Sequence, residues 1–124
     1  METHALWVRI LLGLLALLIL FFTLPAYANP LSNPGLATLT GEAATLGSVA
    51  GLFLGRQLAL ALIALYGAVK GTTQPMLIGG FAMAFFNLHD GVFLLLFGEG
   101  GPGAIAGFVI GGLGLVVMVM TMRK

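Results

Sequence analysis

Arg56, Gln57, Asn87, His89 and Asp90 are the polar side chains that interrupt long apolar runs in this chain. Polar groups inside hydrocarbon are costly, so they turn toward a protein interior and find partners there. Arg56 lies nine residues after Gly47, or ~14 Å along a helix at 1.5 Å per residue. Asp90 lies seven residues before Phe97, or ~10 Å from the same side. On adjacent antiparallel helices the two reach similar depth. An Arg–Asp pair is the cheapest way to bury both charges, and a guanidinium fork grips a carboxylate through two bonds. Asn87 is one turn from Asp90 and is expected to satisfy its remaining bonds. Two readings stand for Arg56, Gln57, Asn87 and Asp90. One is a scaffolding pair; the other is a polar pocket for a headgroup, a quinone carbonyl or a small anion.

Other chemistry lacks its parts. His89 is adjacent to Asp90 but ~100° round the helix, so the pair is not expected to share a face or form a dyad. His4 is too far from His89 along the membrane to complete a metal site, and no third ligand appears. Thr45, Ser48 and Thr121 have no base beside them, so no hydrolase triad is expected. The methionines at 118, 120 and 122 alternate instead of following one helical face. No catalytic residue, metal or cofactor is expected, and the chain reads as a non-enzyme.

The elements that must position these residues follow from composition. Of 124 residues, 60% are hydrophobic and 7% charged, with five Lys+Arg against four Asp+Glu. Mean hydropathy is +1.12. A soluble domain carries roughly 25% charged residues, so this chain cannot cover a water-facing surface. An ordinary globular enzyme, a disordered tail and a polybasic nucleic-acid binder are excluded. There are no cysteines, hence no disulfide framework and no Cys-ligated metal. The natural partner is a lipid bilayer; nucleic acid is not.

Crossing ~30 Å of hydrocarbon takes about 20 mostly apolar residues. Ala5–Leu24, Leu46–Val69, Met76–Phe97 and Gly103–Met122 each meet that requirement. Pro25, Asn29-Pro30, Asn33-Pro34-Gly35, the segment 70–75 and the segment 98–102 supply the turn signals between them. The runs lack the alternation of a membrane barrel. The expected fold is all-α, a single four-helix transmembrane bundle. Arg9, Lys70, Arg123 and Lys124 gather at the N-terminus, the second loop and the C-terminus, while Glu42 and Glu99 lie in the other loops. The positive-inside rule then places both termini in the cytoplasm. Arg9 is expected to snorkel to the inner interface. A rival reading takes Arg9, the apolar run and Ala26-Tyr27-Ala28 as a cleavable signal peptide.

Small residues every four positions let membrane helices approach closely. Gly47, Gly51, Gly55 and Ala59 form one ridge, and Gly103, Gly107 and Gly111 another; Gly80, Ala84, Asn87 and Gly91 form a weaker one. All are expected to face helices within the bundle, or one to face a second copy or another membrane subunit. On that basis Gly51→Leu should hold helices apart. The segments 47–55 and 103–111 also resemble each other, by duplication or by convergence on one packing pattern.

Gly55-Arg56-Gln57-Leu58-Ala59-Leu60-Ala61-Leu62 and Asn87-Leu88-His89-Asp90-Gly91 resemble small bacterial four-helix membrane proteins of the DoxX-like group. The resemblance implies a four-helix bundle in a bacterial inner membrane and, for DoxX itself, an association with quinone-linked oxidation; it carries no cofactor-binding residue to this chain. Function is therefore read as a non-enzymatic binding or accessory subunit. The alternatives are a small-solute transporter lined by Arg56 and Asp90, or a membrane subunit of a quinone-linked oxidoreductase.

Overall fold

The computed structural model describes residues 3–37, 39–98 and 101–123. Glu2, Glu99 and Lys124, which entered the charge reading above, lie outside them. The described residues form four helices and no strand: α1 Leu6–Thr23, α2 Val49–Lys70, α3 Thr73–Phe97 and α4 Gly101–Arg123. All four are long and apolar enough to cross a membrane. A helix is the fold such runs require, because it satisfies every backbone polar group within the segment.

The boundaries have local causes. Pro25 opens a short 3₁₀ turn directly after α1. Gly71 takes a left-handed conformation with φ +71° and closes α2 through a bond from its N–H to Gly67 O. The turn expected over 70–75 is shorter than that: only Gly71 and Thr72 leave the helices. Pro75 sits in the first turn of α3, where its missing N–H costs nothing. The helix expected from Leu46 begins instead at Val49.

The helices alternate in direction and pack as a ring, each against its sequence neighbours, with α1 closing on α4. Both ends of the described chain therefore lie at one end of the bundle, together with the α2–α3 turn. Arg9 holds this end. Its Nε donates to Ala68 O at 3.0 Å and its Nη2 to Val69 O at 2.7 Å. It thus caps carbonyls that the end of α2 leaves unpaired, at the negative pole of that helix. The residue expected to anchor the inner interface thus also ties α1 to the end of α2. His4 adds a backbone bond to Gly71 O at 2.8 Å and a side-chain bond to Thr73 Oγ1 at 2.8 Å.

Above this end, Leu12, Leu60, Met76, Met83 and Val117 fill the bundle axis and are fully buried. α3 and α4 approach each other closely along a run of glycines. A Cβ on Gly107 would stand 2.6 Å from Asn87 O and 3.0 Å from Gly91 Cα. On Gly114 it would stand 2.8 Å from Ala84 N, and on Gly111 2.6 Å from the Leu88 side chain. Gly103 packs instead on the long loop, 2.7 Å from Pro34 O. So Gly107 of the α4 ridge meets the α3 ridge at Asn87 and Gly91, while Gly111 meets α3 at Leu88.

The α2 ridge behaves differently. Gly47 and Gly55 have nothing within 4 Å of an added Cβ, and Gly51 abuts only Leu46 O of its own preceding turn. Gly47, Gly55 and Ala59 are exposed on the bundle exterior. Within this chain Gly47 and Gly55 therefore join no helix, which leaves the α2 ridge to the other expectation, a face turned to a second copy. The contact of α2 with α3 uses Gly67 of α2, whose Cβ would lie 2.5 Å from Pro75 O, and Gly79 of α3, whose Cβ would lie 3.0 Å from Ala64 Cα. Segments 47–55 and 103–111 thus occupy unlike environments.

Candidate functional site

At the end opposite the chain termini, the described residues between α1 and α2 include four short 3₁₀ turns, Pro25–Tyr27, Pro30–Ser32, Pro34–Leu36 and Gly41–Ala44. Ala26 and Leu36 from this segment pack with Ala50 and Leu54 of α2 in a small satellite core. Asn33 pins the segment to α1: its Nδ2 donates to Phe22 O at 3.2 Å, and its Oδ1 accepts from Gly35 N at 2.8 Å. Beneath it is a cavity of about 340 Å³ lined by all four helices.

The expected polar residues converge on its wall. Arg56 Nη2 donates to Asp90 Oδ2 at 2.6 Å, bridging α2 and α3. Their side chains are 37% and 20% exposed, so the pair borders a space instead of lying in a filled core. The guanidinium makes one bond to the carboxylate and not a two-bond fork. Aromatic faces hold its other sides: its Cζ lies 5.2 Å from the Phe53 ring centre and 5.3 Å from that of Phe86. A cation over such faces is attracted by the ring quadrupole.

Asp90's second oxygen goes to an unforeseen partner. His89 Nδ1 stands 3.2 Å from Asp90 Oδ1, so adjacent side chains meet despite their angular separation on the helix. The imidazole stacks on Phe93 with ring centres 4.3 Å apart. It belongs to a ladder of Phe81, Phe85, His89, Phe93 and Phe97, spaced by four residues along the exterior of α3. That spacing is plain in the sequence, since i and i+4 side chains share a helix face.

Asn87 lines the cavity but turns back on its own helix, with Nδ2 donating to Met83 O at 2.8 Å. It does not serve Asp90, which corrects the expected role. Gln57 lines the cavity too, and its Oε1 has no protein partner. Thr23 Oγ1 and Arg56 Nε are likewise unpartnered. Thr23 and Asn33 were not singled out in the sequence. Asn33 read only as part of a turn signal, and Thr23 lay unremarked within the span Ala5–Leu24. Neither carries a charge to mark it.

Among the described residues no cluster of three or more His, Cys, Asp or Glu is arranged to hold a metal. What the arrangement offers is recognition: an internally neutralised ion pair at the edge of a cavity with mostly apolar walls. Comparison with protein-family models, with curated proteins and with solved structures finds no match for this chain.

Proposed function

We propose that this chain is a non-enzymatic integral membrane protein, a binding or accessory subunit whose site is the cavity beside Arg56 and Asp90. The single observation that carries this reading is the cavity itself, walled by all four helices and bordered by an interhelical ion pair with unpaired polar atoms beside it. Its volume falls in the range of small-molecule pockets, roughly 300–1,000 Å³. A permeation path is less well supported. Below the site the axis is filled by Leu12, Leu60, Met76, Met83 and Val117, and the buried polar Thr121 bonds its own helix at Val117 O.

The test uses protein drawn gently from its native membrane. Native mass spectrometry is expected to find a small-molecule adduct on the parent, and Ala106→Phe, which fills the cavity from α4, should lose it while staying helical and monodisperse. A parent without an adduct, or an adduct that Ala106→Phe retains, overturns the binding role.

The proposal includes a bacterial inner membrane and kinship with the DoxX-like group, on the two short motifs quoted above. It also includes cytoplasmic termini. Arg9, Lys70 and Arg123 lie toward the terminus end of the bundle, where the positive-inside rule puts the cytoplasm. Trp7 and Tyr66 are exposed toward that end and Tyr27 at the other, as interfacial aromatics would be. In this cysteine-free background an impermeant maleimide should label Glu42→Cys and spare Gln74→Cys in intact spheroplasts. The reverse pattern would invert the topology.

A further inference from the structure

The cavity has a mouth, and its lining residues locate it. On α1 and α4 the lining faces inward: Ile19 is 2% and Ile110 3% exposed, and Thr23 and Gly107 are buried. On α2 and α3 the same cavity is lined by residues that also stand on the bundle exterior, Val49, Phe93 and Phe97 at 51%, 49% and 78% exposure. A side chain that borders both the void and the outside belongs to an opening. The opening therefore lies in the flank of the bundle, between the ends of α2 and α3 away from their shared turn.

Its edges have separate causes. Below, the Arg56–Asp90 pair bridges α2 and α3. Beyond the pair the two helices come into contact, with Gly79 against Ala64 and Gly67 against Pro75. Above, the segment between α1 and α2 forms the rim. A Cβ on Gly35 would stand 3.0 Å from the Phe53 ring of α2, and one on Gly103 of α4 would stand 2.7 Å from Pro34 O. The segment thus lies against helices on both sides of the cavity and separates it from the membrane surface. From Val49 to Arg56 is seven residues, which leaves a flank opening ~10 Å tall along α2.

The flank of a membrane-spanning bundle is bathed in acyl chains. Val49, Phe53, Phe93 and Phe97 around the mouth carry no charge, and the ion pair at its lower edge is neutralised within itself. Nothing there selects against hydrocarbon. A mostly apolar void open to hydrocarbon takes it up, as a dry apolar cavity in a soluble protein takes up benzene. With a methylene taken as about water-sized, ~30 Å³, the 340 Å³ cavity holds roughly eleven such groups. That is part of one chain and not a whole lipid.

We propose that the occupant is one acyl chain of a bilayer phospholipid, entering sideways between α2 and α3 from the leaflet beside the α1–α2 segment. The proposal rests on the binding role above and names the ligand class and its route. The headgroup stays outside, so the site reads the chain and not the headgroup.

The test uses the full-length protein in phosphatidylcholine vesicles containing a small share of phosphatidylcholine with a diazirine on one acyl chain. After photolysis, labelled residues are read by peptide mass spectrometry. Ala106 lines the cavity from α4, in the wall facing the mouth, and reports entry. Leu17, 52% exposed on the outside of α1, reports ordinary lipid contact. Both should be labelled. Val49→Trp, which adds bulk at the mouth, should cut labelling of Ala106 several-fold and leave Leu17 unchanged. Phosphatidylglycerol with the same diazirine chain should label Ala106 as phosphatidylcholine does, and a water-soluble diazirine should miss it. If Val49→Trp does not fold, the lipid and water-soluble probes decide the route between them. Undiminished labelling in a folded Val49→Trp, or labelling of Ala106 by the water-soluble probe, overturns side entry. A strong preference between the two headgroups overturns chain reading. If lipid labels Leu17 but not Ala106, while the native adduct is present and lost in Ala106→Phe, the acyl-chain proposal fails and the binding role stands. If the native adduct is also missing, both fail.

Discussion

Gly107→Leu is expected to open the bundle, whereas Gly55→Leu is expected to leave its stability near that of the parent. Both glycines sit in apparently equivalent ridges of small residues, yet their surroundings are opposite. A Cβ at position 107 would press on Asn87 O at 2.6 Å and Gly91 Cα at 3.0 Å, while one at position 55 meets nothing within 4 Å. The obstruction at 107 is backbone and cannot swing aside as a side-chain tip does. α3 and α4 must separate, and the contacts at Gly111 and Gly114 loosen with them. Overpacking costs about 1–3 kcal/mol in well-packed cores, and a clash of backbone against backbone belongs at or above the upper end of that range. Gly51→Leu should be intermediate, because its obstruction is Leu46 O in the turn before α2. Unfolding of the variants in one detergent gives the ranking. Equal stability of Gly107→Leu and Gly55→Leu would mean that α3 and α4 are not joined through this seam.

The Arg56–Asp90 pair carries the second large effect. Breaking a fully buried pair costs roughly 3–5 kcal/mol. Here both groups border a cavity and are partly exposed, so about 1–3 kcal/mol for each alanine substitution is expected. The double variant should cost less than the sum of the singles, because the second removal no longer strands a charge. The singles are not equivalent. Arg56→Ala leaves Asp90 with His89, whereas Asp90→Ala leaves the guanidinium with only the faces of Phe53 and Phe86. Strict additivity would show that the pair contributes no coupling. Replacing both residues by apolar ones of similar volume separates the roles: a structural pair can be lost with the bound adduct retained, while a ligand-binding pair cannot.

The helices were legible in the sequence because lipid imposes a length on any apolar run that crosses it, and the observed ends fall within three residues of those expected. The depth match of Arg56 and Asp90 was legible for a related reason: helical rise converts sequence distance into depth. Which face each helix turns inward was not. In a soluble protein the polar face marks the outside, but α4 is apolar all round, and lipid and core are alike to such a surface. Glycine spacing therefore marked α2 and α4 equally, although only α4 uses it against α3. The Asp90–His89 contact depends on side-chain reach, which the angular separation of Cα positions does not describe. The segment 25–48 showed its prolines and asparagines but not that it folds across the cavity.

That segment also bears on how fast anything could enter or leave. Its backbone bonds are mostly closures over three residues, such as Ser32 N to Asn29 O and Leu36 N to Asn33 O, and the only side-chain tie from it to a helix is Asn33 to Phe22 among the described residues. Such closures are short-range, so the segment is held chiefly by the satellite core around Ala26 and Leu36. The opposite end, clamped by Arg9, has no comparable weak point. The roof is therefore expected to open before the floor, with faster amide exchange at Ser32 and Leu36 than at Gly71 as the check. Residence time in the cavity would then be governed by breathing of a few turns, while the lifetime of the fold is governed by the α3–α4 seam, so the two can be tuned independently by substitution.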